Sequence, residues 1–225
     1  MNWLSWLGDF FSSPDRRTGP NAITQRIAEH LLFSGEALLY AAVLAVPLGL
    51  LIGYTGRGTA LVTALAGATR ALPTLGLVTF TVLLAGVGDT AVLVPLVALA
   101  VPPLLVAAVE GVRGTDPDVR DAARGVGLTH PQVLRQVCLP SALPTLLAGF
   151  RTATVQVIAT ATVAAYVGLG GLGRYVIDGL ATRDFALTAG GALLVVLLAV
   201  GAQVLFTVLA RFALPPGLRA RRRAR

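Results

Sequence analysis

The chain has 225 residues, 55% of them hydrophobic and 13% charged, far below the roughly one quarter charged that is usual in soluble domains. Its 18 basic residues are all arginine against 11 acidic ones, a net charge of +7. With no lysine it holds neither a Schiff-base amine nor the lysine of a G-x-x-x-x-G-K-[ST] nucleotide loop. One cysteine, Cys138, excludes an intrachain disulfide framework, and two distant histidines leave zinc without a ligand set. The composition is that of a membrane protein.

At the N-terminus, Trp3, Leu4, Leu7, Phe10 and Phe11 share one helical face and lack the basic start of a signal peptide. Residues 1–33 are expected either to lie as an interfacial helix on the outer membrane surface or to pack as an irregular segment on the bundle. Crossing the hydrocarbon takes about 20 mostly apolar residues. Five such stretches follow: Ser34–Tyr54, Thr59–Gly86, Ala91–Val109, Ser141–Val167 and Ala186–Ala210. The third and fifth are uncharged, and the others carry only Glu36, Arg70 and Arg151. Pro73, close after Arg70, predicts a kink or break in the second span. The expected fold class is all-α, a polytopic membrane bundle of about five helices over 34–210, followed by a basic tail, 211–225.

Five spans put the termini on opposite sides. One side collects Arg57, the Gly111–Pro140 loop and the tail, eleven arginines in all, against five on the other side. The positive-inside bias places the loop and the C-terminus in the cytoplasm. The Arg219–Arg225 cluster, just after a span, suits anionic lipid at about 1 kcal/mol per arginine, and nucleic acid is not expected as a partner.

Between the third and fourth spans, Thr115 or Asp116 can cap a helix with Pro117 in its first turn. Thr129 and Gln132 form a capping box for a second. Gly125 and Gly127 offer the turn between, and Pro140 precedes the next span, so two short helices at an angle are expected. Small Ala122 and Ala123, between Asp121 and Arg124, would let the first helix enter a groove on another protein. An ordinary polar connector is the plainer alternative.

This loop resembles the signature of binding-protein-dependent ABC importer permeases, which is Glu-Ala-Ala, three residues, Gly, nine residues, then aliphatic-x-Leu-Pro. Here it stands as Asp121-Ala122-Ala123, Gly127 and Val137-Cys138-Leu139-Pro140, with Asp in place of Glu. Arg70-Ala71-Leu72-Pro73-Thr74-Leu75, Arg151-Thr152, Ala159–Ala164 and the Gly168-Leu169-Gly170-Gly171-Leu172-Gly173 outer loop resemble the subgroup importing glycine betaine, choline and related osmoprotectants. The resemblance implies a permease subunit paired with a second permease, the same chain or a paralogue. It also implies ATPase subunits docked on Asp121, Ala122, Ala123, Gly127, Val137, Leu139 and Pro140, and a solute-binding protein outside. No cofactor and no enzymatic activity are implied. A permease for another small solute, such as an amino acid, is the alternative.

Other signals carry less. Gly168-x-Gly170-x-x-Gly173 fits a dinucleotide fingerprint formally, but it follows an apolar helix rather than a strand. Arg70 beside Pro73 either bonds a freed carbonyl or lines the pathway, as Pro73, Thr160 and Thr162 would; threonines in spans also serve interhelical bonding. His30 and His130 are expected at the surface or in caps, and Cys138 in the core. The span aromatics Tyr40, Tyr54, Phe80, Phe150, Tyr166 and Phe206 form no evident cage for a quaternary amine, which assigns tight selection to the binding protein. A secondary transporter would show inverted repeats and acids at mid-membrane, yet Glu36 is the one acid in any span. An intramembrane enzyme lacks a Ser/His/Asp set.

Overall fold

The computed structural model describes residues 2–71 and 73–213, and of 68–71 and 213 the backbone only. Leu72, the Arg70 side chain and the basic tail from Leu214 onward lie outside those described residues. Among the described residues every regular element is helical: α1 Trp3–Ser12, α2 Ile23–Thr55, α3 Thr59–Ala71, α4 Thr74–Ala85, α5 Asp89–Arg113, α6 Pro117–Gly125, α7 His130–Val133, α8 Leu139–Ala161, α9 Gly173–Thr182 and α10 Phe185–Ala213.

Among the described residues four helical runs are long and apolar enough to cross a membrane: Ile23–Thr55, Asp89–Arg113, His130–Val167 and Phe185–Phe212. The expected second span is instead two helices, α3 and α4, of 13 and 12 residues. At 1.5 Å per residue each is about 20 Å long, short of the roughly 30 Å of hydrocarbon. Pro73 sets the break: its φ of −69° and ψ of 116° leave the helix, and its carbonyl accepts the first bond of α4, from Leu77 at 3.0 Å.

Two boundaries differ from expectation. α2 begins at Ile23, before the expected Ser34, and its 33 residues span about 50 Å. The extra turns hold Gln25, Arg26, Glu29 and His30, too polar to be predicted as a span, and tertiary bonds keep them helical. The second helix of the loop is also not a separate short piece. α7 passes through a π turn, Leu134–Cys138, into α8 without a break. Pro140 has no N–H for a carbonyl one turn back. The wide turn just ahead of it, where Leu139 N–H bonds Leu134 O five residues back, lets the helix run on rather than stop.

The chain divides into two compact units, each taking part of every long helix. One gathers Met1–Tyr40, Leu72–Ala100 and Thr154–Gly201, and the other Ala41–Ala71, Val101–Ala153 and the chain from Ala202. In the second unit small residues let backbones meet. A Cβ on Gly49 would stand 2.5 Å from Ala108 Cβ, one on Gly53 2.7 Å from Val109 O, and one on Gly111 2.8 Å from Ala142 Cβ. Ala108, Val112, Val133, Cys138, Ala142 and Leu146 form a core cluster in it, with Cys138 fully buried as expected.

In the first unit the N-terminal segment is a helix packed on its neighbours, which combines parts of both expectations. Phe10 is buried, edge-on to Tyr175 at 5.3 Å and seated against Gly190, and Trp6 stacks on Phe185 at 5.4 Å. Trp3, Leu4 and Phe11 of the same helix stay exposed.

Candidate functional site

In the second unit, α6 is a nine-residue helix with a cap at each end. Asp116, rather than Thr115, starts it: Asp116 Oδ1 accepts the Asp118 N–H at 3.0 Å, while Thr115 is buried. Pro117 fills the first position, where no N–H is needed. Asp118 in the first turn and Arg124 in the last each match the helix dipole. At the far end Gly127 takes φ +93°, its N–H bonds Arg124 O at 2.9 Å, and Leu128 N–H bonds Ala123 O at 3.1 Å. These are the paired bonds of a Schellman motif, whose left-handed residue is best supplied by glycine. Gly125 is the last helical residue, so the turn belongs to Gly127 alone.

The motif separates the two alanines. Ala123 is half-buried and packs with Leu128 against the unit's core, whereas Ala122 is exposed. Val119 on this helix and Val126, the residue that caps its C-terminal end, stand out at 51% and 78% exposure. Val119 and Ala122, three residues apart, share an outward face with the exposed Asp118 beside them and Val126 at its end, while Asp121 and Arg124 lie round the helix, beside Tyr54 and Arg120. The remaining signature residues divide likewise: Val137 and Leu139 pack on the core, and Pro140 is exposed. Gln132 caps α7 as the sequence implies, its Oε1 accepting the Thr129 N–H at 2.8 Å.

A junction that sequence reasoning missed holds this loop to the end of α2. Arg120 donates from Nη2 to Tyr54 O at 3.2 Å and lays its guanidinium over the Tyr54 ring, 5.1 Å from the centroid. The Tyr54 hydroxyl is 2.8 Å from His130 Nδ1, with the two rings edge to face. An open pocket of about 150 Å³ sits beside Tyr54, Arg120, Asp121 and Arg124. His130 is exposed, as expected.

The first unit holds the glycine loop. Gly168 (φ +82°) ends a 3-10 stretch, Thr162–Val167, and Gly171 (φ +87°) turns the chain toward α9. Gly171 N–H donates to Glu29 Oε2 at 2.7 Å, and the same carboxylate pairs with Arg26 at 2.9 Å. Side chains at Gly170 and Gly173 would collide with Glu29 and with the Thr162 carbonyl. His30 corrects the surface expectation. It is 1% exposed, and its Nε2 donates to Ile158 O at 2.9 Å. An imidazole can be buried where a carbonyl accepts its N–H, and no local pattern announces a partner 128 residues away. Tyr175 donates its hydroxyl to Asn21 O at 2.6 Å, and burial pushes its pKa up, so the phenol stays a donor.

Of the expected pathway residues, Pro73 is exposed and Thr160 half-buried. Thr162 donates to Ala159 O at 2.8 Å and borders an apolar cavity of about 370 Å³ with Leu75, Tyr166, Val176, Ala192 and Val196. Arg151 is half-buried on α8.

Against known proteins, residues 45–217 match the family described as "Binding-protein-dependent transport system inner membrane component". The choline transport system permease protein OpuBB of Bacillus subtilis is 31% identical over 90% of this chain and 93% of its own length. The choline transport system permease protein OpuBD of the same organism is 33% identical over 96% and 93%. Among solved structures, the inward-facing MetNI methionine ABC transporter matches with a TM-score of 0.74 at 23% identity, covering 85% of this chain and 95% of that one. At that identity the likeness shows the fold.

Proposed function

This chain belongs to the family of binding-protein-dependent transport system inner membrane components, and on that premise we propose that it passes glycine betaine, choline, carnitine or a related quaternary amine across the cell membrane. It is a transmembrane permease subunit of an ABC importer and not a catalytic subunit. Its partners in this reading are ATPase subunits, a second permease, the same chain or a paralogue, an extracytoplasmic solute-binding protein and membrane lipid.

The observation that carries the coupling role is the exposed strip of Val119 and Ala122, with the C-cap Val126 at its end, on a helix fixed at both ends. A rigid, capped helix with a small residue at its centre presents a flat apolar ridge to a groove, and the exposed Asp118 beside it sets the direction of docking. The ATPase takes this ridge, while Ala123, Val137 and Leu139 hold it from behind. The eleven-to-five arginine asymmetry supports the reading that this loop and the tail face the cytoplasm and the glycine loop the outside. The N-terminal helix then lies at the outer surface, its exposed Trp3, Leu4 and Phe11 toward lipid.

The solute class rests on the OpuBB and OpuBD likenesses. The cavity beside Thr162 fits a passage rather than a tight site, for Tyr166 is the one aromatic among its described lining residues and a single ring holds a quaternary ammonium weakly. Cells lacking their own osmoprotectant uptake, given this chain with its ATPase and binding protein, are expected to accumulate labelled glycine betaine, choline or carnitine. Uptake of an amino acid and of none of these compounds would refute the solute class.

A further inference from the structure

We propose that Tyr54 is the mechanical relay between the docked loop and the first long helix, with Arg120 and His130 as its two handles. The inference rests on the docking role given above to α6 and adds how a push on that helix reaches the membrane.

Tyr54 is the penultimate residue of α2, and three separate contacts converge on it. Arg120, near the middle of α6, bonds its carbonyl at 3.2 Å. A guanidinium is well placed there, because the last carbonyls of a helix lack intrahelical partners and carry the negative end of its dipole. The same guanidinium covers the ring at 5.1 Å, where a cation is attracted to the aromatic face. The hydroxyl reaches His130, the first residue of α7, at 2.8 Å. Both helices of the loop are therefore tied to one residue of α2.

The end of α2 that carries it is close-packed against α5. The neighbouring Gly53 lets α2 approach α5 so closely that a Cβ there would lie 2.7 Å from Val109 O and 2.9 Å from Val112 Cβ. Tyr54 also packs against the core that contains Val112 and Val133. A close-packed contact of this kind passes displacement on rather than absorbing it. Arg120 faces Tyr54 while Val119 and Ala122 are exposed, so the docking face and the relay face of α6 are distinct.

The test uses the whole importer, with this chain, its ATPase subunits and its binding protein in proteoliposomes, and reads solute moved per ATP hydrolysed. Arg120→Gln and Tyr54→Leu should retain the ATPase at wild-type yield and lower that ratio by at least about fivefold, the lower end of usual coupling between sites. Arg120→Lys, which keeps a cation near the Tyr54 carbonyl, should recover part of the loss, a rescue that a purely structural role would not give. Should Tyr54→Leu reach the membrane poorly, Arg120→Gln decides alone. A wild-type ratio in Arg120→Gln overturns the relay. Ala122→Trp, assayed alongside, separates the two readings. If it releases the ATPase while Arg120→Gln keeps a normal ratio, the relay alone falls. If it leaves docking and uptake intact, the docking reading falls and the relay with it.

Discussion

Gly127 and Gly173 mark two loops of the chain, and glycine is required in them for opposite reasons. At Gly127 a Cβ would meet nothing within 4 Å, so space is free, but φ is +93° and the backbone conformation excludes most residues. At Gly173 the backbone is an ordinary helix start, and a Cβ would run into the Thr162 carbonyl. The turn at Gly127 is shaped by local bonds within six residues and leaves Ala122 and Val126 facing out. The second is shaped by distant partners, Glu29 and His30, and is pulled inward. The turn that presents a surface is built from caps, whereas the one that closes on its own unit is built from tertiary bonds.

If that contrast is right, the largest penalty falls at Gly173. Gly173→Ala forces one backbone away from another and should destabilise the protein by about 3 kcal/mol, the upper end of overpacking, read as a lower unfolding midpoint in detergent. A midpoint unchanged by Ala would show that the loop is not closed as described. Next is Glu29→Ala, which strips the acceptor from the Gly171 N–H and the partner from Arg26. Loss of a hydrogen bond to a charged group predicts a destabilisation of about 1.5–3 kcal/mol in the same assay, with the defect confined to stability.

Gly127→Val brings the opposite signature. The left-handed backbone costs a side chain about 1–2 kcal/mol, so the chain should still insert in normal amount while uptake falls, because the angle of α6 changes. Uptake at the wild-type level with Val at 127 would separate the turn from transport. Asp121→Glu is the smallest change, lengthening an exposed carboxylate without altering its charge, and uptake should stay within error of the wild type.

What could be read in the sequence follows the same division. Asp116, Pro117, Gly127, Thr129 and Gln132 act on neighbours a few residues away, and their residue types state the cap they make. The break at Pro73 was legible because proline acts on its own backbone. Pro140 misled in the other direction, since the π turn at Leu134–Cys138 absorbs it and carries α7 into α8. The junction of Tyr54 with Arg120 and His130 joins positions 66 and 76 residues apart, and the His30 bond spans 128, distances at which periodicity is silent. Ala122 and Ala123 look alike in a motif. Only the fold shows that Ala123 fills an internal contact while Ala122 faces out.

That last distinction supplies the most direct measurement of the central claim, that α6 docks through its exposed strip. Ala122→Trp adds volume on the outward face and leaves the core contact of Ala123 untouched. The purified importer should then lose its ATPase subunits, and cells should lose uptake, with the amount of this chain in the membrane unchanged. Co-purification of the ATPase at wild-type yield together with normal uptake would contradict the account.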